Sequence, residues 1–188
     1  MAVFKLLESD NSVLKVKLED CNPELNRQEL KDNLVESMQH YEGIGLSANQ
    51  VGVMERVFVM YNHVETKQII ACFNPKIIKE GDEKVLIDEG CLSYPGLWVK
   101  VERSETIEVE YEDEKGEKIQ RELYGLQSRI FQHEYDHMEG SNFTEKVGKV
   151  KLDLALKKQK KMNDLTEKLR KNTEERLIKD KEYQQLIS

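Results

Sequence analysis

The sequence predicts a mixed α+β fold, and three observations predict it. Leu30, Leu34 and Met38 are spaced by four, the period of a helix buried along one face. Ile107, Val109 and Tyr111 alternate with glutamates, and after the turn EDEKGE the residues Ile119, Arg121 and Leu123 bring the chain back, as a half-buried hairpin does. Leu126, Ile130, His133 and His137 recur at intervals of four, three and four, which sets them on one face of a second helix.

In chain order, the first helix is expected over residues 25–41, ended by Gly43 and Gly45. Residues 57–61 (VFVMY) read as a short strand. Residues 69–73 (IIACF) read as another, interrupted at Asn74-Pro75 and followed by Lys76-Ile77-Ile78, and residues 85–87 as a further one. The second helix is expected over residues 123–138, which contain no proline and one early glycine, Gly125. Beyond Gly148 runs a long charged helix whose apolar positions, Leu154, Met162, Leu165 and Leu169, are sparse, so it packs along only part of its length. The expected organisation is a folded body over residues 1–147 and a charged, mainly helical extension over 148–188.

A chain of 188 residues suits one compact domain with an appendage. No apolar run approaches the roughly 20 residues that span a bilayer, and the start, MAVFKLLESDNS, has neither a signal-peptide core nor transit-peptide character. A cytoplasmic protein is expected, with no membrane or DNA partner. Three cysteines, Cys21, Cys72 and Cys91, are an odd and widely spaced set, which argues against a disulfide framework. Residues 145–188 hold 13 Lys and Arg against 8 Asp and Glu, and the rest of the chain 16 against 28. A basic tail on an acidic body suggests a polyanionic partner for the tail alone.

Three segments carry chemistry. His133-Glu134-Tyr135-Asp136-His137 fits H-E-x-x-H, which stacks two imidazoles on one helix face with a carboxylate beside them. Two of the chain's four histidines fall in this pentapeptide, and Leu126 and Ile130 are expected to turn that face inward. Catalytic sites of this kind take three protein ligands. No histidine follows His137, so a metallopeptidase reading would need a downstream carboxylate such as Glu145. Upstream, Cys91 lies in EGCLS before a turn-prone SYPG, whereas Cys72 sits in a strand-like run and Cys21 in an acidic loop. Cys91 is therefore the best thiolate candidate. The third segment, GIGLSANQ, is no phosphate loop, because no G-K-[ST] follows. Its small residues allow close backbone approach, and Gln50 carries an amide donor able to face an oxyanion.

GIGLSANQ, EGCLS and QHEYDHMEG, in that order, resemble the three signature motifs of the peptide deformylases, roughly G-φ-G-φ-A-A-x-Q, E-G-C-φ-S and Q-H-E-x-D-H-φ-x-G with φ apolar. The likeness covers about residues 10–160. Ser47 stands for the usual first Ala and Met138 for the usual Leu; Trp98 stands where many relatives carry a polar residue. The resemblance implies antiparallel sheets packed around the H-E-x-x-H helix, with residues 1–147 as the catalytic domain. It implies one divalent metal on Cys91, His133 and His137, with iron(II) usual and zinc, nickel or cobalt also accommodated. Glu134 is then the general base, and the Gln50 amide and Leu92 N–H stabilise an oxyanion while formate is cut from N-formylmethionyl peptides. Backbone at Gly43, Ile44, Gly45 and Gly90 would hold the peptide, and Ile44, Leu126 and Ile87 the methionine side chain. Arg129 is either a substrate contact or a partner for nearby carboxylates. Asp136, Glu89 and Arg103 are expected to support the ligands. The family resemblance also makes the ribosome a candidate partner for the C-terminal helix, through Lys157, Lys158, Lys160 and Lys161.

Overall fold

The structure is a computed structural model and describes residues 2–63 and 65–186. Its organising element is a five-stranded antiparallel sheet in the order β1-β2-β3-β6-β7, where β1 is Gly45–Ser47, β2 Val57–His63, β3 Gln68–Glu80, β6 Thr106–Glu112 and β7 Lys118–Tyr124. A separate two-stranded ribbon pairs β4, Lys84–Glu89, with β5, Val99–Ser104. Three α-helices complete the fold: α1, Arg27–His40; α2, Gly125–Met138; and α3, Lys149–Leu186.

The VFVMY run explains how the layers stack. Alternate side chains of a strand point to opposite faces, and here both faces are covered. Val57 and Val59 join Leu30, Leu34 and Met38 of α1 in one buried cluster. Phe58 and Met60 join Ile130, Phe131 and Met138 of α2 in another. The sheet is thus sandwiched between α1 and α2, which is why the VFVMY run of β2 is apolar throughout rather than alternating. At the edge of the cluster on α2, β6 and β7 contribute Ile107, Val109, Tyr111 and Leu123. A third, smaller cluster of Leu97, Val99, Val101 and Phe143 takes in Leu152 and Ala155 from the first turns of α3.

Several expectations need correcting. The two strand segments around Asn74-Pro75 are one strand, β3. Asn74 takes φ 49, and the register against β6 slips between Phe73 and Lys76, so the chain absorbs the proline as a bulge. α2 begins at Gly125 and not at residue 123, because Leu123 is still paired with Ile107 in the hairpin. Leu126 is 50% exposed while Ile130 is 4% exposed, so the buried row of α2 starts one turn later than expected. β1 and β5 are strands that the sequence pattern does not predict. Residues 187 and 188 of the extension lie outside the described residues.

Candidate metal centre

The apolar row of α2 is clamped under the sheet, so its remaining face is held in a fixed direction. That face carries His133, Asp136 and His137, with Glu134 between Ile130 and Met138 in the apolar row beside them. Cys91 arrives from the turn after β4, where the Tyr94 N–H donates to the Cys91 carbonyl at 2.9 Å. One donor atom from each of Cys91, His133 and His137 then lies within 4.8 Å of the others. Cys91 Sγ is 3.4 Å from His137 Nε2. His133 Nδ1 is 3.1 Å from Glu89 Oε2, which leaves its Nε2 for the cluster. The donor chemistry fits a divalent ion: one thiolate, two imidazoles, and the three protein ligands that catalytic sites of this kind use. Burial, with His133 and Arg103 nearby, holds the His137 pKa well below the ordinary range, so its imidazole is neutral as a ligand must be. At His133, burial opposes protonation, but the Cys91 sulfur and Glu89 outweigh it and push the pKa up to about 10. The surroundings of that ring favour a positive charge.

A buried ionic network supports the histidine. Arg103, on β5, grips Glu89 through Nε and an Nη, both at 2.9 Å, and reaches Asp136 at 2.7 Å with its other Nη. Arg129 donates to Glu89 at 2.6 Å and to the Val85 and Val101 carbonyls. Burial alone would raise the Glu89 pKa; His133 and Arg103 reverse that and lower it to about 2. Glu89 is therefore ionised and fixes the His133 ring through a hydrogen bond.

Opposite the histidines sits the segment that starts with β1. A single 3₁₀ turn, Ala48–Val51, comes directly after it. The Gln50 side-chain oxygen accepts the Ser47 N–H at 2.9 Å, so its NH₂ must point away, toward Cys91 Sγ at 3.3 Å and Ser93 Oγ at 3.2 Å. Glu134 is 4% exposed, and burial raises its pKa despite the pull of His133 and Ser47 in the other direction. A Cβ at Gly45 would collide with Glu134 Oε1, so only glycine lets the strand lie against this carboxylate.

Residues 3–153 match the family described as Polypeptide deformylase. The chain belongs to that family. A peptide deformylase from Thermodesulfovibrio yellowstonii is 37% identical over 162 residues, covering 84% of this chain and 97% of its own. The crystal structure of peptide deformylase from Thermotoga maritima superposes with a TM-score of 0.73 at 32% identity, over 79% of this chain and 99% of that one. A Met-Ala-Ser-bound class I type b peptide deformylase from Acinetobacter baumannii gives a TM-score of 0.72 at 29% identity, over 78% and 99%.

Against the deformylase motifs, the structure brings Gln50, Cys91, His133, Glu134 and His137 into one cluster. The Leu92 N–H has no protein acceptor among the described residues. Gly90 lies under the Trp98 indole, whose carbons sit 3.2 Å from where a Cβ would be, and Gly43 lies against Leu92. Ile44, Ile87 and Leu126 are each about half exposed, at 46%, 47% and 50%. The guanidinium of Arg129 is bonded to Glu89 and two carbonyls, as the carboxylate-partner alternative expects. Glu145 is exposed, bonded to Asn142 and outside the ligand cluster, which removes the metallopeptidase alternative's third ligand. Ser47 and Ser93 are the site residues that sequence reasoning missed. Serines are common in turns, and only the fold places these two on Glu134 and Gln50.

Proposed function

We propose that this chain hydrolyses the formyl amide of N-formylmethionyl peptides, releasing formate and a free amino terminus. The observation that carries this reading is the clustering of Cys91, His133 and His137 beside the aimed Gln50 amide, in a chain of the deformylase family. Cys91, His133 and His137 would hold one divalent ion. When bound, it supplies Lewis acidity that makes water nucleophilic near neutral pH. Glu134 takes the proton of the attacking water and returns it to the departing amine nitrogen as the C–N bond breaks. The Gln50 NH₂ and the Leu92 N–H donate to the oxygen that gains charge, a contribution typically worth ~3–4 kcal/mol per donor. Iron(II) is the ion we assign; zinc, nickel and cobalt suit the same donors, and metal analysis of anaerobically purified protein decides among them.

The peptide would add beside β1. The Ile44 N–H has no protein acceptor among the described residues, whereas the Gly43 N–H is held by the Met38 carbonyl, so at Gly43 the carbonyl would be the group offered to the peptide. Ile44, Ile87 and Leu126 would take the methionine side chain. We assign the ribosome to the exposed lysines of α3, Lys157, Lys158, Lys160 and Lys161, as phosphate contacts, in a cytoplasmic setting. Formate release from formyl-Met-Ala-Ser, measured beside cleavage of an unblocked peptide, tests the reaction. Peptide-bond cleavage without formate would sink it. Co-sedimentation with ribosomes tests the tail, and equal pelleting of full-length and tail-deleted protein at low salt would refute that contact.

A further inference from the structure

We propose that Ser47 is a positioning residue that holds the Glu134 carboxylate in its working orientation; this rests on the reading of Glu134 as the general base. The Ser47 hydroxyl donates to Glu134 Oε2 at 2.6 Å, a short hydrogen bond. Its other near acceptor is the Glu134 carbonyl at 3.2 Å, and its oxygen also faces the Gln50 backbone N–H in a capping box, so the hydroxyl's own proton is directed to Glu134. Ser47 is fully buried, so water does not compete for that proton. Oε1 receives no hydrogen bond from the described residues and rests against Gly45, two residues earlier on the same side of β1. One oxygen is tied and the other is left for substrate water.

The strand that carries this hydroxyl is itself fixed. Gly45 pairs with Met60 and Ser47 with Phe58 in the register of β1 against β2. The Ser47 N–H is held by the Gln50 side chain. The base and the oxyanion donor are therefore anchored to the same residue, one through its hydroxyl and the other through its amide. A general base works only when its oxygen lies within hydrogen-bond reach of the proton it takes. A free carboxylate on a two-torsion stem would spend part of its time turned elsewhere.

Ser47→Ala removes one oxygen and leaves the strand residue small, so the fold survives. With formyl-Met-Ala-Ser and metal content matched to wild type, kcat is expected to fall roughly tenfold with KM unchanged, equivalent to about 1.4 kcal/mol of barrier. The same substitution placed on Glu134→Gln is expected to cause a much smaller fractional loss, because its route through the carboxylate is gone and only its cap on the Gln50 backbone is left. A crystal structure of metal-loaded Ser47→Ala is expected to show the Glu134 carboxylate turned or split between orientations. An unchanged kcat, an equal fractional loss in the Glu134→Gln background, or an unmoved carboxylate each overturns the role of Ser47 and leaves Glu134 as base intact. Full turnover by Glu134→Gln would instead remove the base itself, and the inference with it.

Discussion

α2 and α3 are both rich in charged side chains, and the fold treats them in opposite ways. α2 has 14 residues, and Ser128, Arg129, Gln132, Glu134, Asp136 and His137 are among those it buries. Its charges find partners on other elements: Glu89 and Val101 for Arg129, Arg103 for Asp136, Ser47 for Glu134. α3 has 38 residues, and past its first turns the described side chains lie mostly in water. Its ion pairs, Arg170 with Glu167 and Glu174, run along its own surface. Pairs of that kind contribute ~0–1 kcal/mol, whereas breaking a buried pair strands a charge and costs ~3–5 kcal/mol. The same residue types thus act as scaffold and chemistry in one helix and as solvation in the other.

The contrast can be broken at its strongest point first. Glu134→Ala is expected to lower formate release by about 10²–10⁴-fold while the metal content of the purified protein stays the same; wild-type-like turnover would end the general-base assignment. Arg103→Ala leaves Glu89 with Arg129 and His133 and Asp136 with Lys146 alone, and is expected to cost ~3–5 kcal/mol in urea unfolding. Cys91→Ser should weaken metal binding, read by elemental analysis; unchanged content would exclude the thiolate as a ligand. A smaller effect comes from pH. The Glu89 pKa is lowered from 4.5 to about 2 in the folded state, so its contribution is complete above pH 4.5 and fades as pH falls toward 2. An acid titration of stability in Glu89→Gln should lack that part of the slope. Least of all, Leu169→Ala on exposed α3 is expected to shift stability by no more than about 0.5 kcal/mol. A larger loss would mean that α3 packs where the structure leaves it open.

This contrast also decides what the sequence could reveal. Leu30, Leu34 and Met38 are legible because helical period and burial coincide in α1. His133 and His137 are legible because their spacing is itself the chemistry, and Cys91 because a turn cysteine stands apart from Cys72 in its strand. β5 is harder. Val99 and Val101 alternate with Lys100 and Glu102, yet the third inward position is Arg103, a cation that makes sense on a buried face only once Glu89 and Asp136 are seen beside it. β1 is three residues long, too short for any period to register, and its strand character comes from pairing with β2. The bond from Ser47 to Glu134 spans 87 positions of chain, so no local pattern could have announced it.

The brevity of the open edge beside β1 has a consequence for the docking proposed there. Gly43 is half-buried, Ile44 is exposed, and from Gly45 onward the strand is covered. At ~3.3 Å per residue, a peptide added there as proposed would meet about 7 Å of edge, where the Gly43 N–H is held by Met38 and the Ile44 carbonyl by Tyr61. That is enough to register the first residue or two and too little to read a sequence. Docking of that kind, as proposed, would leave most residues beyond the initiator methionine unread. It would also need that terminus unfolded and slack, which is its state before a new chain has packed its own first residues away.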